Sequence, residues 1–300
     1  MDGFNFIINK IILCIMKTLF FLLGLLMFQT CNPQKQSIEL LSVTDVVEYW
    51  EKSAIGSEVS HEESLTTIQN DTLLNNIQEK ITLASYEGFV KNNTQELDNI
   101  ANQLSNSNIA SQNLTKYWLS YISYYKTIIG MKVRNQEMTR DANKKGIEIL
   151  ESIKNKNSDD YALLVLLKGL SFSFVPAVEA PLISREISKL IEKGLKTDDS
   201  NFRVHYAQGS VDFYTPKEFG GNTKTEQYLI KAINLPEKNI GNSQLPTWGK
   251  EEAYDLLIRY CLRENNKKEA EMYFNKAKQV FPDSYTILSH QSSFKNSTDK

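Results

Sequence analysis

From Glu251 to Asn265 the chain reads EEAYDLLIRYCLREN, and Ala253, Tyr254, Leu257, Tyr260 and Cys261 fall at the spacing of one helical face. A short polar turn, Asn265-Asn266-Lys267, separates this segment from KEAEMYFNKAKQVFPDS. There Ala270, Tyr273, Phe274 and Ala277 form a second apolar face, and Pro282 closes it. Two amphipathic helices joined by a tight turn predict a helical hairpin. The same rhythm runs upstream, where 72–90, 94–105 and NLTKYWLSYISYYKTIIGM (113–131) read as further helices. No stretch after about residue 70 alternates with the period of a strand, so the predicted class is all-α.

Parts of the second half superimpose on one another. KLIEKGLKTDDSN (189–201) and YLIKAINLPEK (228–238) align with YFNKAKQVFPDS (273–284), placing Gly194, Ala232 and Ala277 together. ILESIKNKNSDD (149–160) aligns less well, with Ile153 in the small position, and Lys168-Gly169 and Gln208-Gly209 echo each other. Methyl-sized residues let two helices approach at the narrow end of the usual range of about 8–10 Å.

The series Ala270-x3-Phe274-x2-Ala277-x4-Pro282 resembles the second helix of a tetratricopeptide repeat (TPR), and Tyr254-x2-Leu257 resembles its first. Ile258 and Cys261 stand where that repeat usually has Gly and Tyr. The resemblance covers roughly 110–284 and is specific only in the last hairpin; the other intervals exceed the repeat's length of about 34 residues. It implies a TPR-like α-α superhelix (solenoid) of about five degenerate hairpins, with insertions between helices, over 66–292. In such a superhelix the first helix of each hairpin lines the concave side. That phase turns Tyr206, Phe213, Tyr214 and Arg259 inward, and Tyr121 and Tyr125 join them if Trp118 packs the other way.

YTPKEFGGN (214–222) raises a separate question, because a glycine pair can cradle a phosphate. The required G-x-x-x-x-G-K-[ST] after a strand is absent: no glycine stands five residues before Gly220 or Gly221, and Lys224 follows none. A corner between helices is the better reading. Pro216 stops one helix, Gly220 and Gly221 allow unusual backbone angles, and Thr223-x-x-Glu226 forms a capping box for the next. This corner, with Pro246-Thr247-Trp248-Gly249 entering the following hairpin, resembles envelope lipoproteins similar to the T-component of tripartite (TRAP-type) transporters. That resemblance implies a non-enzymatic protein paired with a periplasmic solute-binding protein.

The N-terminus changes the expected address. Met16–Cys31 reads MKTLFFLLGLLMFQTC, a lysine followed by an apolar run from Leu19 to Phe28 and then a cysteine. This matches an export signal over 1–30, with Met16 a better start than Met1. The run is shorter than the ~20 residues a bilayer span takes. Cys31 resembles the acylated cysteine of a bacterial lipobox, although Phe28, Gln29 and Thr30 depart from its usual residues. A lipoprotein of the cell envelope is preferred, with a secreted protein and an uncleaved anchor as alternatives. Residues 31–65 read as a tether passing into a short helix, and 293–300 as a disordered tail.

Composition supports a folded core and excludes several functions. Hydrophobic residues make up 41% and charged residues 23% of 300, with a net charge of −2, so no basic field would hold nucleic acid. The abundance of Asn reads as genome composition. Of three cysteines, Cys14 and Cys31 sit in or beside the apolar leader, and Cys261 reads as a packed core thiol. His61, His205 and His290 lie far apart, with no i, i+4 partner for a metal helix, and no G-x-S-x-G is present. Asp159-Asp160 and Asp198-Asp199 sit at turns, as capping residues do. No catalytic residue, metal or cofactor is expected. The preferred function is binding of a protein or peptide partner in the envelope; the alternative is a small hydrophobic ligand held by the aromatics of 117–125 and the 214–222 corner.

Overall fold

A computed structural model describes residues 73–107 and 112–294. The leader, the tether, Cys31 and His61 lie outside the described residues. Eleven α-helices and no strand are present among the described residues. They are α1 (Ile77–Lys91), α2 (Gln95–Ser105), α3 (Gln112–Lys132), α4 (Gln136–Glu151), α5 (Ser158–Ser171), α6 (Ala180–Thr197), α7 (Phe202–Tyr214), α8 (Thr225–Asn234), α9 (Lys250–Arg263), α10 (Lys267–Val280) and α11 (Tyr285–Ser289). None of them is long and apolar enough to cross a membrane.

Polar side chains at the helix ends set these boundaries. Asn135, Asn157, Asn201, Asn266 and Ser284 each accept a backbone N–H from the first turn of the helix that follows. Asn157 and Asp160 form a reciprocal capping box at the start of α5. Asn also fills five of the six non-glycine positions with positive φ, namely Asn76, Asn92, Asn222, Asn239 and Asn265. The asparagine content therefore has structural work beyond genome composition.

Helices pair in order as α1–α2, α3–α4, α5–α6, α7–α8 and α9–α10, and each pair packs on the next. The first helix of a pair touches the first helix of its successor, and the second helix touches it as well. Small residues stand where these contacts are tight. A Cβ on Gly194 would come within 3.1 Å of Tyr161 and Val204, and one on Gly209 within 2.7 Å of Leu229. Ala232, Ala270 and Ala277 are fully buried. The aligned segments 189–201, 228–238 and 273–284 all begin inside a second helix and run past its end. In α4 the crossing residue is Gly146, not position 153; Ile153 lies beyond the helix end and fills the core.

Two buried clusters result. The first joins α1 to α7 around Ile77, Trp118, Leu164 and Val204, and the second joins α7 to α11 around Leu229, Leu257, Phe274 and Ile287. The second cluster runs past the expected boundary of the tail: Phe294 ends a 3-10 turn (His290–Phe294) and lies 5.1 Å from the ring of Phe274.

The corner at 214–222 forms as a helix stop, with one change in detail. Pro216 caps a 3-10 turn (Lys217–Phe219), and Gly220 takes φ 85°. Gly221 has no positive φ; it is small because a Cβ there would lie 2.0 Å from the Thr215 carbonyl oxygen. The expected Thr223–Glu226 capping box does not form. Asp212, from the end of α7, instead accepts the Lys224 N–H at 3.1 Å and the Thr225 hydroxyl at 2.6 Å. A carboxylate one loop away reaches those donors, while the Thr223 hydroxyl turns to the Gly220 carbonyl.

Candidate functional site

The loop 235–249 between α8 and α9 determines where the aromatic residues end up. It runs back across the first helices to α3 and α1. Gln78 of α1 accepts the N–H groups of Thr247 at 2.7 Å and Trp248 at 3.2 Å. The Trp118 indole donates to the Gln244 carbonyl at 2.9 Å, and the Trp248 indole donates to the Tyr117 hydroxyl at 2.8 Å. Arg203, fully buried on α7, donates to the Trp248 carbonyl at 3.1 Å and pairs with Asp159 of α5 at 2.8 Å. Lys238 pairs with Asp198 at the end of α6. Asp159 and Asp198 are thus ion-pair partners of this loop and its neighbours.

Trp248 stacks on Tyr121 with ring centroids 6.0 Å apart and meets Tyr206 edge-on at 6.1 Å. Beneath it Tyr121 and Tyr125 share a hydrogen bond of 3.0 Å between their hydroxyls. Both tyrosines are buried, at 4% and 7% exposure. The expectation that they face an open groove is corrected: Trp118 does pack inward, but the returning loop covers the other side of the helix as well.

Tyr206, Tyr214 and Arg259 keep part of their surface, as do Tyr124 and Glu252. The Arg259 guanidinium donates to the Tyr214 hydroxyl at 3.0 Å and lies 3.7 Å from Asp255. Behind it, His290 and Asp255 are bonded at 2.8 Å. Phe213 is not part of the open face. It is buried, with the Arg263 guanidinium 3.7 Å and the Arg259 guanidinium 5.2 Å from its ring centre, so it serves as their platform.

Burial sets the charge state of this wall. Burial pushes the hydroxyls of Tyr124 and Tyr206 well above the ordinary tyrosine value, and neighbouring tyrosines and Glu252 push the same way. They remain neutral donors and acceptors. Burial works against the Arg259 charge, but Tyr214 and Asp255 outweigh it and hold its pKa raised. A guanidinium thus sits beside tyrosine hydroxyls and the Asp255 carboxylate on a part-open wall. Burial likewise pushes the Cys261 thiol up to about 12. His205 is buried, bonded through Nε2 to the Asp199 carbonyl at 2.8 Å, and burial lowers its pKa.

Four of the six expected binding residues, Tyr206, Phe213, Tyr214 and Arg259, therefore come together, and Tyr121 and Tyr125 form the packed floor beside them. Trp248 and Arg203 were not anticipated as the residues joining the two groups. The Pro-x-Trp-Gly motif marked the entry to a hairpin, but nothing near it in the chain points to Tyr117, which it meets 131 residues away. No protein-family model matches the chain, and no curated protein or solved structure shows a significant match.

Proposed function

We propose that the chain is a TPR-like helical scaffold of the bacterial cell envelope, lipid-anchored through Cys31, that binds a protein or peptide partner along Tyr124, Tyr206, Tyr214 and Arg259. One observation carries the reading: first helices packed side by side leave a part-open wall of tyrosine hydroxyls around one buried-stem guanidinium. Aromatic residues and Arg are the types enriched in recognition surfaces. The resemblance of the 214–222 corner to transporter T-components supports a role as a transporter accessory, with a periplasmic solute-binding protein as partner. The second reading, a small hydrophobic ligand, draws support from the stack of Trp248 on Tyr121 at the edge of the same wall.

A photo-crosslinking residue placed at Tyr206 is expected to capture the partner in intact envelopes, and the same residue placed at exposed Lys145 of α4 is not. Arg259→Gln combined with Tyr214→Phe removes the guanidinium and the hydroxyl it bonds, and should cut capture at least about tenfold while circular dichroism stays helical. Equal capture from both positions, or capture indifferent to the double substitution, defeats the proposal. A lipophilic molecule that copurifies and is lost in the double variant would favour the second reading.

A further inference from the structure

On the opposite side of α9 from Arg259, three helices bring together a thiol and two carboxylates. Glu226 stands in the first turn of α8, Cys261 near the end of α9, and Glu269 in the first turn of α10. One ligand atom from each lies within 4.8 Å of the others. We propose that this cluster is a zinc site that clamps the last two hairpins together.

An acidic pair on a protein surface would be unremarkable, and so would a core cysteine. Here each answers a need of the other. The Cys261 thiol is 1% exposed, is in no disulfide, and its sulfur lies within 4.8 Å of an oxygen of each carboxylate. Among the described residues neither Glu226 nor Glu269 is in an ion pair, both are half-buried, and Glu269 also accepts from the Asn266 side-chain amide. Two carboxylates and a buried sulfur thus converge with no positive charge between them.

The donor set selects the ion. Magnesium and calcium take oxygen ligands and gain nothing from sulfur. Zinc accepts Cys sulfur at about 2.3 Å and carboxylate oxygen at about 2.0–2.2 Å, in a tetrahedron whose fourth corner water can fill. Donors around such an ion stand about 3.5 Å apart. The ligand atoms, within 4.8 Å of one another, would draw together by rotation of the two half-buried glutamates. On binding, the Cys261 S–H bond breaks, its proton leaves to solvent, and the sulfur lone pair forms the Zn–S bond; no electron is transferred. Because α8 belongs to one hairpin and α9–α10 to the next, the ion would tie the two together. This inference does not depend on the partner-binding reading.

The purified full chain, stripped with chelator, is titrated with Zn2+ by calorimetry and with Co2+ by absorbance. One equivalent of Zn2+ should bind and raise the thermal midpoint, and Co2+ should produce a thiolate charge-transfer band in the near ultraviolet. Cys261→Ala should abolish that band, and Glu226→Gln should weaken Zn2+ binding at least tenfold while circular dichroism stays helical. Cys261→Ala changes no other cysteine, so loss of the band in that variant assigns the sulfur. No saturable binding in the unmodified protein overturns the proposal. So does a Co2+ band that survives Cys261→Ala, or a Zn2+ affinity that neither substitution changes.

Discussion

The tyrosine row of α3 and the row shared by α7 and α9 start from similar material and end in different environments. Tyr117, Tyr121 and Tyr125 repeat every four residues along α3; Tyr206 and Tyr214 stand eight apart on α7. The α3 row is buried, whereas Tyr206 and Tyr214 remain part-open beside Arg259. The helices themselves do not explain this, since both are first members of hairpins stacked in the same way. The loop 235–249 does. It lays Trp248 over the α3 row, and its contacts with α7 fall at Arg203 and Tyr206, away from the end where Tyr214 lies. An aromatic stripe on such a helix is core or surface according to whether another part of the chain returns to it.

Removing the cover is the most direct way to break the comparison. Trp248→Ala should lower unfolding free energy by about 4 kcal/mol, because a buried indole, its contact with Tyr121 and its bond to Tyr117 are all lost. Urea denaturation measures the loss. Tyrosine fluorescence quenching in the native baseline should rise as Tyr121 and Tyr125 gain access to solvent. A loss below about 1 kcal/mol would mean that the loop rests on the α3 row without holding it.

The same contrast explains what could be read from the chain. The α9–α10 hairpin was legible because Ala270, Phe274 and Ala277 report their contacts at helical spacing, and the partner helix lies one short turn away. Hairpins with Gly194 and Ala232 were legible in part, since their small residues recur at uneven intervals, whereas Gly146 was passed over for position 153. The cover over α3 was not legible: Trp248, Gln244 and Gln78 meet across more than 120 residues, and no local period encodes that contact. Arg203 was hidden for a related reason. A charged residue at a helix start reads as solvated, and the Asp159 carboxylate, the Trp248 carbonyl and the face of the Phe202 ring make its burial tolerable. For the open row, helical phase singled out Tyr206, Tyr214 and Arg259, but not that Phe213 would turn into the core.

A smaller intervention sharpens the comparison at the open end. Gly220 and Gly221 adjoin the helix end that bears Tyr214, and the two glycines are needed for different reasons. Gly221→Ala places a methyl group 2.0 Å from the Thr215 carbonyl and must displace the end of α7, costing about 3 kcal/mol. Gly220→Ala meets no atom within 4 Å and bears only the strain of φ 85°, about 1 kcal/mol. Denaturation of the pair should give that order, and Gly221→Ala alone should loosen the Tyr214–Arg259 contact. The reverse order would make backbone angle, not closeness, the determinant of the corner.

The smallest effect tests the closed end through pH. Asp160 caps α5 beside Asp159, the carboxylate that holds Arg203 and, through it, Trp248. Burial pushes the Asp160 carboxyl from 3.8 up to about 6; Asp159 adds to the rise, and the Asn157 N–H and Lys156 oppose it. The folded state therefore holds this proton more tightly than the unfolded chain does. Between about pH 4 and pH 6 the unfolded chain releases it first, so this group's contribution to stability falls as pH rises and levels off above the folded value. The loss amounts to about 2 kcal/mol. Asp160→Asn keeps an oxygen acceptor for the Asn157 N–H and removes the titration. The stability difference between the variant and the parent should thus grow in the variant's favour from pH 4 to 6 and stay constant above 7. A difference independent of pH would show that Asp160 reaches solvent and that the closed end is wetter than its packing indicates.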